Sequence, residues 1–250
     1  MKNHVKIFGE RNTNTNYLSQ LIDLNFDLVQ RKGTVPKAIN SFNRILFNNS
    51  EWYKNIYFSL TEHVNLGWKH KYVDSKAFSS SDKSLLIITL TKNPYAWLLS
   101  MYRNPYHMAV NPNLSFSEFL RSDIVPLSRE NLKDQKKINI IELWNIKNRS
   151  YLAIEHPYKL NLKSIDLITN TESILSFIKN HFSINYTSGK FEDYSRSTKD
   201  KSKDKLYYLN YYKNELWRDK LSEADYAFIN DSLDQAVMDS FGFNYISSSS

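Results

Sequence analysis

The run Leu85-Leu86-Ile87-Ile88-Thr89-Leu90 restricts the fold of this chain more than any other feature of the sequence. It is short, it carries no charge, and it shows no alternation of polar and apolar residues. This pattern is typical of a strand in a parallel sheet that is covered on both faces. Parallel strands need crossover connections, usually helices, so the run predicts an α/β fold.

The rest of the sequence supplies the alternating elements that such a fold needs. Val5–Phe8 predicts a strand, and Gly9 separates it from a polar segment that leads into a helical pattern. Further elements are predicted as follows: a short strand ending near Leu66–Lys71, helices over Ile138–Tyr151 and 174–182, a strand over Lys163–Ile168, and a last helix from about Glu223 to Ser240 that stops near Gly242. Residues Lys32–Phe58 are weakly patterned. We expect one domain with a mainly parallel central sheet flanked by helices, over residues 1–246.

Composition excludes some kinds of site and leaves others open. The chain has no cysteine, which excludes disulfides, thiolate catalysis and thiolate-bound metals. Its formal net charge of +7 attracts anions, whether nucleic acid, nucleotide or sulfated sugar. We see no apolar stretch that predicts a signal peptide or a membrane span, and we expect a cytoplasmic protein with a disordered tail over 247–250.

The polar segment after the first predicted strand is a candidate anion site. A loop that ends in a helix offers backbone N–H groups and the positive end of the helix dipole. Its side chains add donors from Arg11, Thr13 and Thr15, although Thr and Asn also serve as ordinary helix caps. The loop lacks the G-x-x-x-x-G-K-[ST] pattern, which disfavours an ordinary nucleotide triphosphatase.

The segment Gly9-Glu10-Arg11-Asn12-Thr13-Asn14-Thr15-Asn16-Tyr17-Leu18 resembles the 5′-phosphosulfate loop of sulfotransferases that use 3′-phosphoadenosine 5′-phosphosulfate (PAPS), in the variant that begins Gly-Glu-Arg-Asn. The resemblance implies a P-loop-like sulfotransferase fold and a donor contact from each residue from Arg11 to Asn16: Arg11, Asn12, Thr13, Asn14, Thr15 and Asn16. The family's Lys falls at Asn12, where Arg11 would supply the cation. Its Gly falls at Asn14, and Asn tolerates the left-handed conformation better than most residues.

A second segment, Thr91–Ser100, follows the buried strand and is similar to the family's 3′-phosphate element. Pro94 is suited to the first turn of a helix. Lys92 would then precede the helix and Ser100 would lie about two turns into it, so that both face one anion. The resemblance assigns the 3′-phosphate of PAPS to these two residues. Lys replaces the family's Arg and gives a point charge without a bidentate fork.

A third segment, Gly67-Trp68-Lys69-His70, lies where the family places a lysine and a catalytic histidine. A histidine can take a proton from a hydroxyl near neutral pH. The resemblance therefore implies that His70 is the base and that Lys69 and Arg11 stabilise charge on the transferred group. Taken alone, a single histidine is more often a structural residue.

The resemblance extends over most of the chain, including Lys163–Glu172 and the closing helix. It implies a late basic loop on the nucleotide, with Arg196 and Lys199 as candidates. We expect no metal site, because the histidines show no ligand spacing. The predicted acceptor is a small molecule or carbohydrate that reacts through a hydroxyl, with no nucleic-acid partner and with the oligomeric state open.

Three other interpretations stay open at this point. Asn12 and Asn14 are compatible with a degenerate family member that binds nucleotide without turnover. A kinase-like phosphotransferase shares the strand–loop–helix cradle but needs a carboxylate for Mg²⁺. The basic run Lys199–Lys205 is also compatible with a protein that binds nucleic acid.

Overall fold

The computed structural model describes residues 3–79, 81–105, 113–132, 137–194 and 204–246. The strands in these residues are β1 (His4–Gly9), β2 (Val29–Gln30), β3 (Leu85–Thr91), β4 (Asp123–Ile124), β5 (Ile138–Asn139) and β6 (Lys159–Lys163). The helices are α1 (Thr15–Asn25), α2 (Lys37–Phe47), α3 (Glu51–Asn65), α4 (Pro94–Arg103), α5 (Phe116–Arg121), α6 (Ile140–Leu152), α7 (Ser164–Thr169), α8 (Thr171–His181), α9 (Lys205–Lys213), α10 (Glu223–Ser232) and α11 (Gln235–Phe241).

A parallel sheet of four strands forms the centre of the molecule, in the order β2-β1-β3-β6. Strand β3 is central and every one of its residues is buried, which confirms the prediction from its apolar run. Leu86, Ile88 and Leu90 pack in one hydrophobic cluster with α1 and α8, whereas Leu85 and Ile87 pack in another with the end of α6. Successive strand residues point to opposite faces, so helices cover the sheet on both sides and the α/β fold is confirmed.

Strands β1 and β3 run side by side, and Gly9 pairs with Leu90 at their carboxyl ends. The loops that follow these strands therefore leave the same edge of the sheet. This edge is where open α/β sheets place their ligands. The first polar loop and the Lys92 segment both begin there.

A third hydrophobic cluster lies beside the sheet and is built mainly from α4, α5, α6, α10 and α11. Trp97 and Trp144 are fully buried in it. Helix α4 begins at Pro94, as predicted, and the Asn93 side chain caps it by accepting from the amides of Tyr95 and Ala96. The cluster thus holds the helix that carries Ser100.

Three predicted elements were wrong. The strand over Lys163–Ile168 ends at Lys163, because Ser164 begins α7 and Leu167 packs in the core as a helical residue. Short apolar runs do not distinguish these two structures. Residues Leu66–His70 form turns rather than a strand, although Lys69 accepts from the Gly9 amide.

The predicted last helix is broken in two. Leu233 is extended, and Asp234 starts a new helix by accepting from the Val237 amide. Gly242 ends α11 in the left-handed conformation, as its position predicted. The weakly patterned Lys32–Phe58 stretch contains α2 and most of α3.

Candidate functional site

A cavity of about 600 Å³ lies at the edge where β1 and β3 end. All three segments singled out in the sequence line it, through residues such as Asn12, Lys69, His70, Lys92 and Ser100. Within the part of the chain that the structure describes, the lining includes seven cationic side chains and no Asp or Glu. The cations are Arg11, Lys54, Lys69, Lys92, Arg103, Arg129 and Lys205. Four of them, Arg11, Lys54, Arg129 and Lys205, pair with carboxylates outside the lining. The cations still outnumber these carboxylates, so the field in the cavity favours an anion.

The first loop turns sharply between β1 and α1. A Cβ on Gly9 would lie 2.6 Å from the Leu90 carbonyl oxygen, so only glycine allows the two strands to approach here. Asn12 and Asn14 both have positive φ, 63° and 66°. Asn14 thus adopts the left-handed conformation, which asparagine tolerates better than most residues.

The side chains of this loop point in two directions. Arg11, Asn12, Asn14, Thr15 and Asn16 line the cavity. Thr13 is not among the lining residues: its hydroxyl is buried and donates to the Glu10 carbonyl.

The start of helix α1 is available to a ligand because its cap residue is used elsewhere. The Asn14 side chain makes no capping bond and donates to Ser164 Oγ at 3.1 Å instead. The first turn also holds no acidic residue. The first amides and the positive end of the dipole can therefore serve an anion.

Lys92 and Ser100 meet, as their spacing predicted. Lys92 Nζ donates to Ser100 Oγ and to Tyr212 Oη, each at 2.7 Å. Burial, with a smaller contribution from the charge of Arg103, lowers the pKa of Lys92 to about 7. The pKa falls because burial penalises the ammonium form.

Two tryptophans and an asparagine connect the first loop and the Lys92–Ser100 segment to each other and to the core. Trp97 Nε1 donates to the Arg11 carbonyl at 2.8 Å, and Trp144 Nε1 donates to the Lys92 carbonyl at 3.1 Å. Asn12 Nδ2 donates to the Ser100 carbonyl at 3.2 Å. The backbone of both segments is thus held by buried side chains, which keeps their geometry fixed relative to each other.

His70 is held in one tautomer by the end of β1. Its Nδ1 lies 2.5 Å from the Gly9 carbonyl, which can only accept, so Nδ1 carries the proton and Nε2 is the acceptor. Burial first, and then the charge of Lys69, lowers the pKa of His70 well below its ordinary value. The Gly9 bond acts in the opposite sense but is outweighed. His70 is therefore neutral at pH 7.

Arg11 is buried among carboxylates and does not reach the cavity as an unpaired cation. Its Nη2 donates to Glu130 Oε1 at 2.9 Å and its Nε lies 3.3 Å from Glu10 Oε1, while Nη1 has no hydrogen-bond partner. Lys147 contacts Glu130 Oε2 and the His70 carbonyl, and lies 3.3 Å from Glu10 Oε2. Burial disfavours the charge of Glu130, yet Lys147 and Arg11 hold the pKa of Glu130 below its usual value.

This buried cluster of Glu10, Arg11, Glu130 and Lys147 joins the first loop, the His70 segment and α6. Our sequence reasoning missed Glu130 and Lys147. Glu130 lies 119 residues from its partner Arg11, and Lys147 lies 17 residues from its partner Glu130. No local sequence pattern connects these residues. It also missed Tyr212, which contacts Lys92 from α9.

The late basic loop is described only at its end. Arg196 and Lys199, the predicted nucleotide contacts, lie outside the described residues. Lys205 lines the cavity and pairs with Asp193 at 2.7 Å. Lys69 also lines the cavity, and its Nζ donates to Asn16 Oδ1 at 2.5 Å.

The described residues also bear on metal binding and on membrane spans. Over these residues, no group of three or more His, Asp and Glu side chains is placed to hold a metal ion. In the same part of the chain, no helix has the length and apolar character needed to cross a membrane.

No protein-family model and no curated protein matches this sequence. Among solved structures, the chain is similar to the sulfotransferase domain of the Synechococcus PCC 7002 olefin synthase, with 13% identity and a TM-score of 0.44 over 98% of this chain and 97% of that one. It is also similar to retinol dehydratase in complex with androsterone and inactive cofactor PAP, with 12% identity and a TM-score of 0.46 over 97% of this chain and 82% of that one.

Proposed function

We propose that this protein transfers a sulfuryl group from PAPS to a hydroxyl acceptor. The observation that carries the proposal is the cavity, in which three segments predicted to act together meet among seven cations, with no carboxylate among the described lining residues. Its volume of about 600 Å³ is in the range of pockets for small molecules and cofactors.

The donor fits the chemistry of the lining. The loop over residues 12–16 and the start of α1 would bind the 5′-phosphosulfate, because they present amide and hydroxyl donors at the positive end of a helix. Lys92 and Ser100 would bind the 3′-phosphate, since both line the cavity and Lys92 Nζ donates to Ser100 Oγ at 2.7 Å. Arg196 and Lys199 stay proposed contacts to the nucleotide.

The transfer step is an in-line displacement at sulfur. The acceptor oxygen forms a bond to sulfur while the bond between sulfur and the bridging oxygen of the 5′-phosphate breaks. The electron pair of that bond stays on the phosphate, which leaves as adenosine 3′,5′-bisphosphate (PAP). The acceptor proton passes to His70 Nε2, the nitrogen that accepts when Nδ1 donates to Gly9.

Fixed positive groups would stabilise the charge that develops in this step. Lys69 would act on the transferred group, since it lines the cavity beside Asn16 of the loop. We predicted the same role for Arg11. Because two carboxylates offset its charge, we propose that Arg11 acts mainly by fixing the loop, with only a smaller direct electrostatic effect.

The competing interpretations make different demands on the cavity. A kinase-like phosphotransferase needs a carboxylate to hold Mg²⁺ beside the phosphates. None is present among the described lining residues. A nucleic-acid-binding protein needs a basic surface that follows a phosphate backbone, and a concave site suits a single small ligand better.

A thermal-shift comparison of PAP, AMP and ATP, followed by a transfer assay with ³⁵S-labelled PAPS, tests the proposal. We expect PAP to raise the unfolding temperature more than AMP or ATP does, and labelled sulfate to reach a hydroxyl compound from a panel of small molecules and carbohydrates. PAP binding with no transfer to any panel member would favour a degenerate member. Equal shifts for all three nucleotides would contradict a PAPS site.

A further inference from the structure

The helical hairpin of α2 and α3 exposes an unusual amount of apolar surface. Among the described residues, 15 large apolar side chains are exposed, and eight of them fall between positions 42 and 64. These eight, which we call the hairpin patch, are Phe42, Ile45, Leu46, Phe47, Trp52, Ile56, Leu60 and Val64. Exposed apolar residues are normal when scattered, but a cluster of this kind marks an interaction surface.

The patch follows from the helical period. On α3, Trp52, Ile56, Leu60 and Val64 recur every four residues and form one stripe along the helix. At the connection between the two helices, the rings of Phe42 and Phe47 on α2 contact the ring of Tyr53 on α3, with centroids 6.2 and 5.1 Å apart. The eight residues thus belong to one helical hairpin.

The opposite side of the hairpin is bound to the body of the protein, which fixes the outward direction of the patch. On α3, Glu51 pairs with Arg129 of the body, and Arg129 Nη1 also donates to Asn55 Oδ1 at 2.9 Å. Phe58 is buried against Trp68, with ring centroids 6.5 Å apart. An inward rotation of α3 would break these buried contacts, so the stripe cannot turn into the core.

Charge distinguishes the possible partners of this surface. Residues 31–50 contain Arg31, Lys32, Lys37 and Arg44 and no Asp or Glu. Lys37 and Arg44 are exposed on α2, seven residues apart and therefore on the same side of the helix. Phe42, Ile45 and Leu46 lie on the other side of α2 from these cations. This division into a cationic face and an apolar face is typical of helices that lie at a membrane surface, whereas contact between two copies would not require the cations. An anionic surface would pair with them.

We propose that the hairpin patch binds an anionic lipid surface, with the apolar residues of α2 and α3 entering the interface and Lys37 and Arg44 at the headgroups. The helices have 11 and 15 residues, too short to span a bilayer, so they would lie in its plane. The exposed Trp52 suits this position, since an indole ring favours the boundary between headgroups and acyl chains. The proposal does not rest on sulfuryl transfer.

Tryptophan fluorescence of the full chain tests the proposal. Trp52 is 65% exposed, whereas the other four tryptophans are at most 6% exposed, so a change in solvent exposure on binding is reported mainly by Trp52. We expect the emission to shift to shorter wavelength with vesicles of equal parts phosphatidylcholine and phosphatidylglycerol. The shift should be weaker with pure phosphatidylcholine and should decrease as salt rises. Trp52→Phe should remove the shift and keep co-sedimentation with the vesicles.

Substitutions separate the apolar contribution from the charge contribution. Leu60→Asp should weaken binding by about tenfold or more, because it places a carboxylate in the apolar face. Phe177→Asp is the matched control: Phe177 is 50% exposed on α8, away from the hairpin, and its change should leave binding unaltered. The double variant Lys37→Gln, Arg44→Gln should lose the preference for anionic vesicles.

Three results would overturn the proposal. The first is no emission shift and no co-sedimentation with either vesicle. The second is equal loss of binding in Leu60→Asp and Phe177→Asp while both variants remain folded by circular dichroism. The third is a shift that appears without vesicles as protein concentration rises, together with a dimer in sedimentation velocity, which would assign the patch to a second copy.

Discussion

Two titratable side chains in the cavity are shifted toward neutrality by the same cause, burial. Lys92 has a pKa of about 7, and the pKa of His70 is well below its ordinary value. A neutral His70 can accept a proton, and a half-neutral Lys92 gains charge when an anion arrives. The two residues therefore have different consequences for binding and for rate, which can be measured separately.

Lys92→Ala should weaken PAP binding far more than AMP binding, because only PAP carries a 3′-phosphate. We expect a loss of about 1–3 kcal/mol for the missing charge-assisted hydrogen bond. Isothermal titration calorimetry with both nucleotides measures the difference. An equal loss for PAP and AMP would place Lys92 away from the 3′-phosphate.

The affinity for PAP should fall as the pH rises above the Lys92 pKa of about 7. The free lysine is then largely neutral, whereas the bound phosphate raises its pKa, so binding takes up a proton. Affinity should decrease up to about tenfold per pH unit between the free and the bound pKa. Titrations at several pH values measure this slope, which Lys92→Met should abolish. A slope that persists in Lys92→Met would assign it to another group.

His70→Ala should lower turnover by about 10²–10⁴-fold, the usual contribution of a positioned base, and leave PAP affinity nearly unchanged. His63→Ala, at an exposed position on α3, is the control and should be active. The pKa of His70 lies well below 6.5, so turnover should stay constant from neutral pH to below 6.5. It should decrease only where the pH approaches the lowered pKa of His70. Normal turnover in His70→Ala with a confirmed acceptor would show that the base is elsewhere.

At the scale of elements, the first loop depends on backbone conformations that few residues adopt. Asn14 has φ 66°, a region in which β-branched residues are strained. Asn14→Gly should keep the fold and PAP binding, whereas Asn14→Val should destabilise the loop by about 1–2 kcal/mol or more. Thermal unfolding with and without PAP compares the pair. Equal behaviour of the two variants would mean that this conformation does not shape the site.

The buried charge cluster connects elements that are distant in sequence. Glu130→Gln preserves shape but leaves Arg11 and Lys147 with one fewer carboxylate, so the free energy of unfolding should fall by about 3–5 kcal/mol. Arg149→Gln breaks the more exposed pair with Asp234 and should cost about 0–1 kcal/mol. Urea denaturation measures both. A cost for Glu130→Gln no larger than that of Arg149→Gln would contradict a structural role for the cluster.

The sequence predicted the elements whose signals are local. The apolar run of β3, the Gly9 boundary and the Pro94 helix start each depend on a few neighbouring residues, and the structure confirms them. The Lys92–Ser100 contact was also predictable, since both residues lie on one short segment. Ser164 was misassigned because its helix begins directly after a strand, where an apolar pattern fits either structure.

Interactions between distant segments were not predictable in this way. The carboxylates around Arg11, the Tyr212 contact to Lys92 and the tautomer of His70 all arise from tertiary packing. The sequence therefore indicated which segments meet at the cavity and did not indicate that Arg11 would be paired. Its revised role as a residue that fixes the loop follows from that pairing.

On the scale of the whole molecule, the sheet edge, the cavity and the helical hairpin form one arrangement. Parallel strands bring the first loop and the Lys92 segment to one edge, and the buried tryptophans hold them there. The hairpin closes the cavity on another side through Lys54 and Phe58, while its outer face carries the exposed apolar patch. The proposed donor site and the proposed lipid-binding surface thus lie on opposite sides of α3.

A crystal structure of the complex with PAP is the most direct test of the proposed donor site. We predict that the 5′-phosphate lies within hydrogen-bond distance of the amides of residues 12–16, and that the 3′-phosphate contacts both Lys92 Nζ and Ser100 Oγ. Density for PAP elsewhere on the protein, or a 3′-phosphate that contacts neither Lys92 nor Ser100, would contradict the account.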